Sequence, residues 1–338
     1  MIQRAPRVRT LAGALAVLAC LTGTAACSGS KPKAAPTSST TTTTTTPPPS
    51  PTTTGPVALT GGPVLAVKID NTPAGRPRIG LDQADVVYVE PVEGGLTRLL
   101  AIFSRHMPSQ VGPVRSGRES DVTLLANYGR VALAFSGSSS YTAGILARGR
   151  QVNLSNDQNP RGFHRDHSRP APYNVIGTPR ELLARAGGSV RPGDIGFRYG
   201  PAIDGGRRGV SVSTSWPASR IAMAWSPALK RYVITTDGRP EVSPTGLRYA
   251  ASTVVVQYVA SHLSRNLDVN GRPTPVEQLT GTGSAVVLRG GKAWNATWSR
   301  PSATSPTAFV SGGQRVTFDP AGTVWVLLVP IGQKVSVS

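Results

Sequence analysis

Residues 28–56 are mostly serine, threonine and proline, with an unbroken threonine run over 40–46. So few apolar side chains cannot offset the entropy of ordering a backbone, so this stretch predicts a disordered, partly polyproline-like tether. Folded sequence is thereby confined to the part of the chain that begins near Pro63. Fully extended at roughly 3.1 Å per residue, about 29 such residues reach at most about 90 Å. Their hydroxyl content also makes the tether a candidate for surface glycosylation.

What precedes the tether reads as a leader. Arg4, Arg7 and Arg9 stand before an apolar stretch over 11–21, the charged-then-apolar layout of a secretory signal. No apolar run reaches the roughly 18 residues of a membrane-spanning helix. The two cysteines of the chain, Cys20 and Cys27, close this region. Thr24-Ala25-Ala26-Cys27 resembles a bacterial lipobox, whose cysteine becomes the lipidated first residue of the mature chain. Val17-Leu18-Ala19-Cys20 is the rival and has the more usual apolar residue three before the cysteine. It leaves a very short apolar core, however, whereas the polar tether follows Cys27 directly. The expectation is therefore a signal peptide over 1–26, lipid on Cys27, a tether over 27–60, and a location on the extracytoplasmic face of the cell membrane. An ordinary secreted protein with incidental cysteines is the plainer alternative.

With Cys27 lipidated, no cysteine remains for an intramolecular disulfide, and the folded part must rest on its core. At about 150 residues per domain, 338 residues predict two domains. The 37 glycines and 30 prolines argue for many turns and short strands over a helical bundle. Runs over 64–69, 86–90, 96–103 and 131–135 are rich in Val, Ile and Leu and read as strands. Ser116-Gly117-Arg118-Glu119 and Thr178-Pro179-Arg180-Glu181 fit capping boxes that open helices, the second ending near Ala186. After about Arg191 helical periodicity fades. Gly290-Gly291 and Gly312-Gly313 read as two-residue hairpin turns, and 324–329 is apolar on both faces, as in a central strand. All five tryptophans lie beyond residue 210 and fall within strand patterns, which favours core packing over a sugar-stacking platform. The expected fold class is α+β: a mixed α/β domain over 61–190, then a mainly antiparallel β domain over 191–338.

The net charge is +19, and 30 of the 36 cations are arginine. Losing Arg4, Arg7 and Arg9 leaves 33 cations against 17 acids in the mature chain, a net +16. Outside the membrane the anionic neighbours are lipid headgroups and wall polymers, so these are the expected partners, with an envelope protein as a further one and no nucleic acid. Arginine favours forked contacts to phosphate or carboxylate.

Polar residues concentrate in the first half. Lys68-Ile69-Asp70-Asn71 ends a strand, with Arg76 close behind. Glu93-Gly94-Gly95-Leu96-Thr97-Arg98 turns between two strands, and Gly112-Pro113-Val114-Arg115-Ser116-Gly117-Arg118 leads into a helix. Phe163-His164-Arg165-Asp166 and Arg169-Pro170-Ala171-Pro172-Tyr173-Asn174 share a long loop. These segments resemble the YerB-like bacterial lipoproteins, a two-domain family of uncharacterised function. The family pattern runs Ile-Asp-Asn, Ala-Asp-x-Val-Tyr, Glu-Gly-Gly-x-Thr-Arg, Gly-Pro-Val-Arg-Ser, Arg-Asp and Pro-His-Asn. The likeness covers about residues 63–330, including the valines over 254–256 and Thr297-Trp298-Ser299. His164 stands where the pattern has an aromatic and Tyr173 where it has histidine, which weakens any mechanism needing an imidazole there. The resemblance implies an anchor and two domains and no established activity.

Asp70, Asn71, Arg76, Glu93, Thr97, Arg98, Arg115, Ser116, Arg118, Arg165, Asp166 and Asn174 are thus the candidate ligand-binding residues. A helix opening at Ser116 would offer unpaired N–H groups between Arg115 and Arg118, and with Arg98 or Arg165 nearby would make a phosphate or carboxylate site. The competing reading is an internal ion-pair network in which Asp70, Asp85, Glu93 and Asp166 neutralise those arginines. His164-x-x-His167 with Asp166 lacks a recognisable third ligand, so no metal is expected. Nucleophile elbow, Walker loop and dinucleotide fingerprint are all absent, so no cofactor and no catalytic residue are assigned. Arg118-Glu119-Ser120-Asp121 weakly resembles the Arg/Asp segment of LytR-CpsA-Psr phosphotransferases. The functional expectation is a membrane-anchored cell-envelope binding or accessory module that recognises an anionic group, leaning away from an enzyme. A cell-wall phosphotransferase or hydrolase acting on a lipid-linked or wall polymer is the alternative, and a solute-binding transport component a lesser one.

Overall fold

The computed structural model describes residues 62–338 except Val269, so the expected signal peptide, Cys20, Cys27 and the whole of the expected tether lie outside the described residues. In chain order the main elements are β1 (Leu65–Asp70), β2 (Val86–Pro91), β3 (Thr97–Phe103), α1 (Ser120–Leu125), β4 (Ala132–Phe135), α2 (Ser140–Leu146), β5 (Val152–Ser155) and α3 (Pro179–Ala186). There follow β6 (Ser211–Trp216), β7 (Ser219–Ser226), β8 (Arg231–Thr236), β9 (Thr253–Val259), β10 (Ser261–Leu267), β11 (Pro273–Glu277), β12 (Gly281–Arg289) and β13 (Lys292–Arg300). The chain closes with β14 (Ala308–Ser311), β15 (Gln314–Arg315), β16 (Val324–Pro330) and β17 (Val335–Val337).

A twelve-stranded sheet runs through the whole described region in the order β15-β14-β13-β12-β9-β16-β2-β3-β1-β4-β5, with the short strand Arg207–Arg208 beside β13. Its junction is β16, which pairs in parallel with β9 on one side and with β2 on the other. Its sequence, VWVLLVP, is buried throughout the valine and leucine positions, because both faces of the sheet are covered. Alternate side chains feed two cores. Val67, Val89, Val256 and Leu327 point to one face, where they meet Val212, Ile221, Met223 and Tyr232 of a second sheet built on β8-β7-β6-β17. Ala66, Tyr88, Val255 and Leu328 point to the other face, beneath Leu124 and Leu125 of α1, Leu146 of α2, and Phe197.

The fold is strand-dominated on both sides of residue 190. Among the described residues the three α-helices are only six, seven and eight residues long. In the first half β4 pairs in parallel with β1 and β5, while β3 is antiparallel to β1 and β2, a mixed sheet. The two Gly-Gly hairpins form as read: Arg289 pairs with Lys292 and Ser311 with Gln314, and all four glycines have positive φ, as two-residue hairpin turns require. Trp216, Trp294, Trp298 and Trp325 are core residues, and Trp225 packs against the core partly buried.

Neither capping box forms its side-chain cap: α3 opens as read, with Thr178 before Pro179, but Thr178 makes no capping hydrogen bond. Ser116 caps nothing, and α1 begins four residues later at Ser120. The segment before it is held extended instead, by Arg115 N–H to Lys68 O (2.8 Å), Ser136 N–H to Arg115 O (2.9 Å) and Gly117 N–H to Gly137 O (3.0 Å). Strand-like bonds to two neighbours outweigh a single serine cap. With six residues, α1 offers no helix terminus to an anion.

Candidate functional site: an arginine-lined cleft

The ends of β1, β2 and β3 meet at one rim of the large sheet, and the extended segment over 112–118 crosses it. Register places Arg98, at the start of β3, between Asp70 of β1 and Glu90 of β2. The Glu93-Gly94-Gly95 turn between β2 and β3 presents Glu93 beside Arg118. Together these elements line a cleft of about 570 Å³, into which Arg98, Arg115, Ser116, Arg118 and Glu93 all project. A second wall carries Ser138, Ser139 and Thr142. The hairpin of β10 and β11, a two-stranded ladder outside both main sheets, overhangs the cleft with Asn266, Leu267, Asp268, Asn270 and Arg272.

That hairpin is the part of the site sequence reading missed, since its residues lie about 150 positions from the arginines. It is tied down by side chains. Ser139 Oγ donates to Asn266 Oδ1 (2.8 Å), Thr274 Oγ1 donates to Glu93 Oε1 (2.5 Å), and Ser264 hydrogen-bonds Glu119. Gly94 makes room for it. A Cβ built there would lie 2.3 Å from Arg272 Nη1, the flexible end of that side chain, and it is the φ of +68° at Gly94 that calls for glycine.

The arginines are unequally neutralised. Arg118 is satisfied: its Nε and Nη2 reach Glu93 Oε2 at 3.1 and 2.8 Å, and its Nη1 donates to the carbonyls of Ser116 and Gly117. Burial pushes the Glu93 carboxyl up, but Arg118 and the Thr274 hydroxyl more than offset this and hold it below its ordinary value. Arg98 and Arg115 share one carboxylate oxygen, Asp70 Oδ2, at 3.8 and 3.6 Å, both beyond hydrogen-bonding reach. Asp70 Oδ2 is buried with no hydrogen-bond partner, while Oδ1 accepts from the Thr72 backbone and hydroxyl at 2.6 Å each. Arg115 also donates to Pro172 O (3.2 Å) and stacks over the Tyr173 ring, 5.1 Å from its centre. Burial lowers the Arg98 pKa to about 10. Asp70 opposes that shift, and the neighbouring Arg115 and Arg118 deepen it. This is a cation crowded by cations.

Of the four acids weighed as internal neutralisers, only Asp70 and Glu93 reach the cluster. Asp85 is taken by Arg105, and Asp166 by Arg169 (2.9 Å) and Ser168. Among the other candidates, Arg165 and Asn174 bond each other at 2.9 Å and do not line the cleft. Asn71 donates to Thr97 Oγ1 (2.7 Å), which meets Ser219 Oγ (3.0 Å), forming a buried pillar to the second sheet. Arg76 reaches Glu241 (3.0 Å) and Thr236 O, on the wall of a separate recess of about 380 Å³. Among the described residues no group of three His, Cys, Asp or Glu side chains is placed to hold a metal ion.

Behind the cleft lies a second charged cluster, which the sequence reading did not bring together. Lys68 Nζ donates to Glu90 Oε2 (2.7 Å) and Asp121 Oδ1 (2.6 Å), all fully buried. Burial alone would lower the Lys68 pKa, but Asp121 and Glu90 raise it. Asp121 Oδ2 accepts the Arg118 N–H (2.7 Å), so the acid of the Arg118-Glu119-Ser120-Asp121 tetrapeptide faces inward, away from the cleft. Glu277, at the root of the overhanging hairpin, is 2% exposed, and neither of its oxygens has a hydrogen-bond partner. The Ser120 hydroxyl, which favours the Glu277 carboxylate slightly, stands 3.5 Å from Glu90 Oε2.

Residues 51–191 match the N-terminal domain, and residues 211–326 the C-terminal domain, of the family described as "Protein of unknown function (DUF3048)". The chain belongs to that family. Over 60 residues it is 53% identical to the "Putative lipoprotein YerB" of Bacillus subtilis (strain 168), a match spanning 18% of each protein's length. The crystal structure of the YerB protein from Bacillus subtilis has the same fold, with a TM-score of 0.69 and 24% identity over 83% of this chain and 95% of that one. The YerB-like family named by the sequence motifs is therefore the family to which the chain belongs, a two-domain family.

Proposed function

We propose that this protein is a lipid-anchored module on the extracytoplasmic face of the membrane that binds an anionic group in the arginine-lined cleft. One observation carries the reading: Arg98 and Arg115 share a single carboxylate at 3.6–3.8 Å, so at the wall of an open cleft neither guanidinium has a carboxylate within hydrogen-bonding reach. An oxyanion between them would accept the forked hydrogen bonds that Asp70 is too distant to accept. The lipobox-like segment before Cys27 and the basic balance of the mature chain support the location and the kind of partner. The internal network takes Arg118 through Glu93 and leaves the other two arginines for a ligand.

Arg115→Ala tests the reading most cleanly, because Arg118→Ala would strand the nearly buried Glu93. The measurement is co-sedimentation of the full chain with long-chain inorganic polyphosphate. Arg208→Ala, an exposed arginine at a sheet edge, serves as the control for net charge. Charged hydrogen bonds contribute roughly 1.5–3 kcal/mol each, so Arg115→Ala should weaken binding about tenfold or more while Arg208→Ala changes it little. Equal weakening by both variants would reduce the interaction to general charge attraction.

A further inference from the structure

The cleft is much larger than its arginine cluster needs. A volume of about 570 Å³ falls in the range that encloses a whole small molecule. Its lining also changes character across that space. The cationic wall is Arg98, Arg115 and Arg118. The rest of the lining is hydrogen-bonding, with the Ser138 hydroxyl, the Asn270 amide, which also reaches Asp268, and the carboxylate of Asp157. Val92, Leu96 and Leu267 add apolar surface to the lining. Arg272 at the hairpin tip adds a fourth cation, while the neighbouring Asp268 is committed to its own turn, accepting the Asn270 and Arg272 N–H groups at 2.8 Å each. A bare oxyanion would use one wall and leave the other to water.

We propose that the natural ligand is a phosphorylated sugar or polyol. Its phosphate lies against Arg98 and Arg115, its hydroxyls lie against the Ser138/Asn270 wall, and its C–H faces rest on Leu96 and Leu267. The assignment rests on the anion-site reading and extends it from charge to chemical class. Serine hydroxyls and asparagine amides both donate and accept, which suits a hydroxyl-rich ligand, whereas a lipid tail or a simple carboxylate would leave them to water. Because Asn270 and Leu267 belong to the β10–β11 hairpin, the second half of the chain helps to read the sugar end, while the phosphate end is read by the first half alone.

The test is calorimetric titration of the full chain with inorganic phosphate, glucose 1-phosphate and glucose. Titrations are repeated on Ser138→Ala/Asn270→Ala, whose side chains take no part in the ion-pair network, and on Arg115→Ala. Glucose 1-phosphate should bind at least tenfold more tightly than phosphate. The Ser138→Ala/Asn270→Ala variant should lose most of that advantage, about tenfold, and bind phosphate as before. Arg115→Ala should weaken both anions. Equal affinity for phosphate and glucose 1-phosphate, or an unchanged advantage in Ser138→Ala/Asn270→Ala, would overturn the sugar assignment while leaving the anion site standing. Saturable binding of neither anion would overturn both, and glucose binding as tightly as its phosphate would do the same.

Discussion

Replacing Glu277 with glutamine should stabilise this protein at alkaline pH and leave it nearly unchanged at acidic pH. Three buried carboxyls, Glu90, Asp121 and Glu277, surround one ammonium, Lys68, and Arg118 contributes from the cleft side. Burial, reinforced by the Glu90 charge, pushes the Glu277 pKa up to about 8, and burial pushes Glu90 to about 7 against the pull of Lys68. A carboxyl that stays protonated in the fold but ionises near pH 4.5 when unfolded binds more protons folded than unfolded. Its contribution is therefore fully present below about pH 4.5 and lost as pH rises towards 8. The slope approaches about 1.4 kcal/mol per pH unit for one such group, so between pH 5 and 8 the wild type should lose roughly 3–4 kcal/mol through Glu277. Glutamine keeps the shape and removes the titration. Denaturant unfolding at pH 5 and 8 decides the matter. The two proteins should match within about 1 kcal/mol at pH 5, and Glu277→Gln should exceed the wild type by roughly 3 kcal/mol at pH 8. A variant with the wild-type pH slope, or one less stable at pH 8, would refute the reasoning.

Two further outcomes follow from the sheet and the leader. Leu327→Ala, at a fully buried position of β16, should cost about 2–5 kcal/mol. Because β16 is hydrogen-bonded to both β9 and β2, the halves before and after residue 190 should still unfold in one transition, and two separate transitions would contradict the coupling. Cys27→Ala should leave the membrane fraction while Cys20→Ala remains bound. The opposite pattern, followed by fractionation, would move the anchor to Cys20.

How much was legible in the sequence depended on how local each cause was. The Gly-Gly hairpins, the doubly apolar strand over 324–329 and the buried tryptophans follow from turn chemistry and periodicity within a few residues, and all are present. The capping box at Ser116 has a local signal too, but bonds from Lys68 and Gly137, distant in sequence, hold that segment extended. The arginines could be recognised as a cluster from their motifs. Their pairing could not, because whether Asp85 and Asp166 neutralise them depends on Arg105 and Arg169 claiming those acids first. The hairpin wall had no signal at all: Asn266, Asn270 and Arg272 belong to no motif, and only the β10–β11 ladder brings them over a cleft made 150 residues earlier. Glu277 was equally silent, since an acid at the end of a short strand ordinarily faces water.

The claim that matters most is the position of the anion. Crystals of the full chain equilibrated with tungstate, a heavy oxyanion visible by anomalous diffraction, would locate it directly. The account predicts one tungstate between Arg98 and Arg115, within roughly 3 Å of their guanidinium nitrogens. An empty cleft at saturating tungstate, or tungstate bound only on exposed arginines such as Arg208, would contradict it.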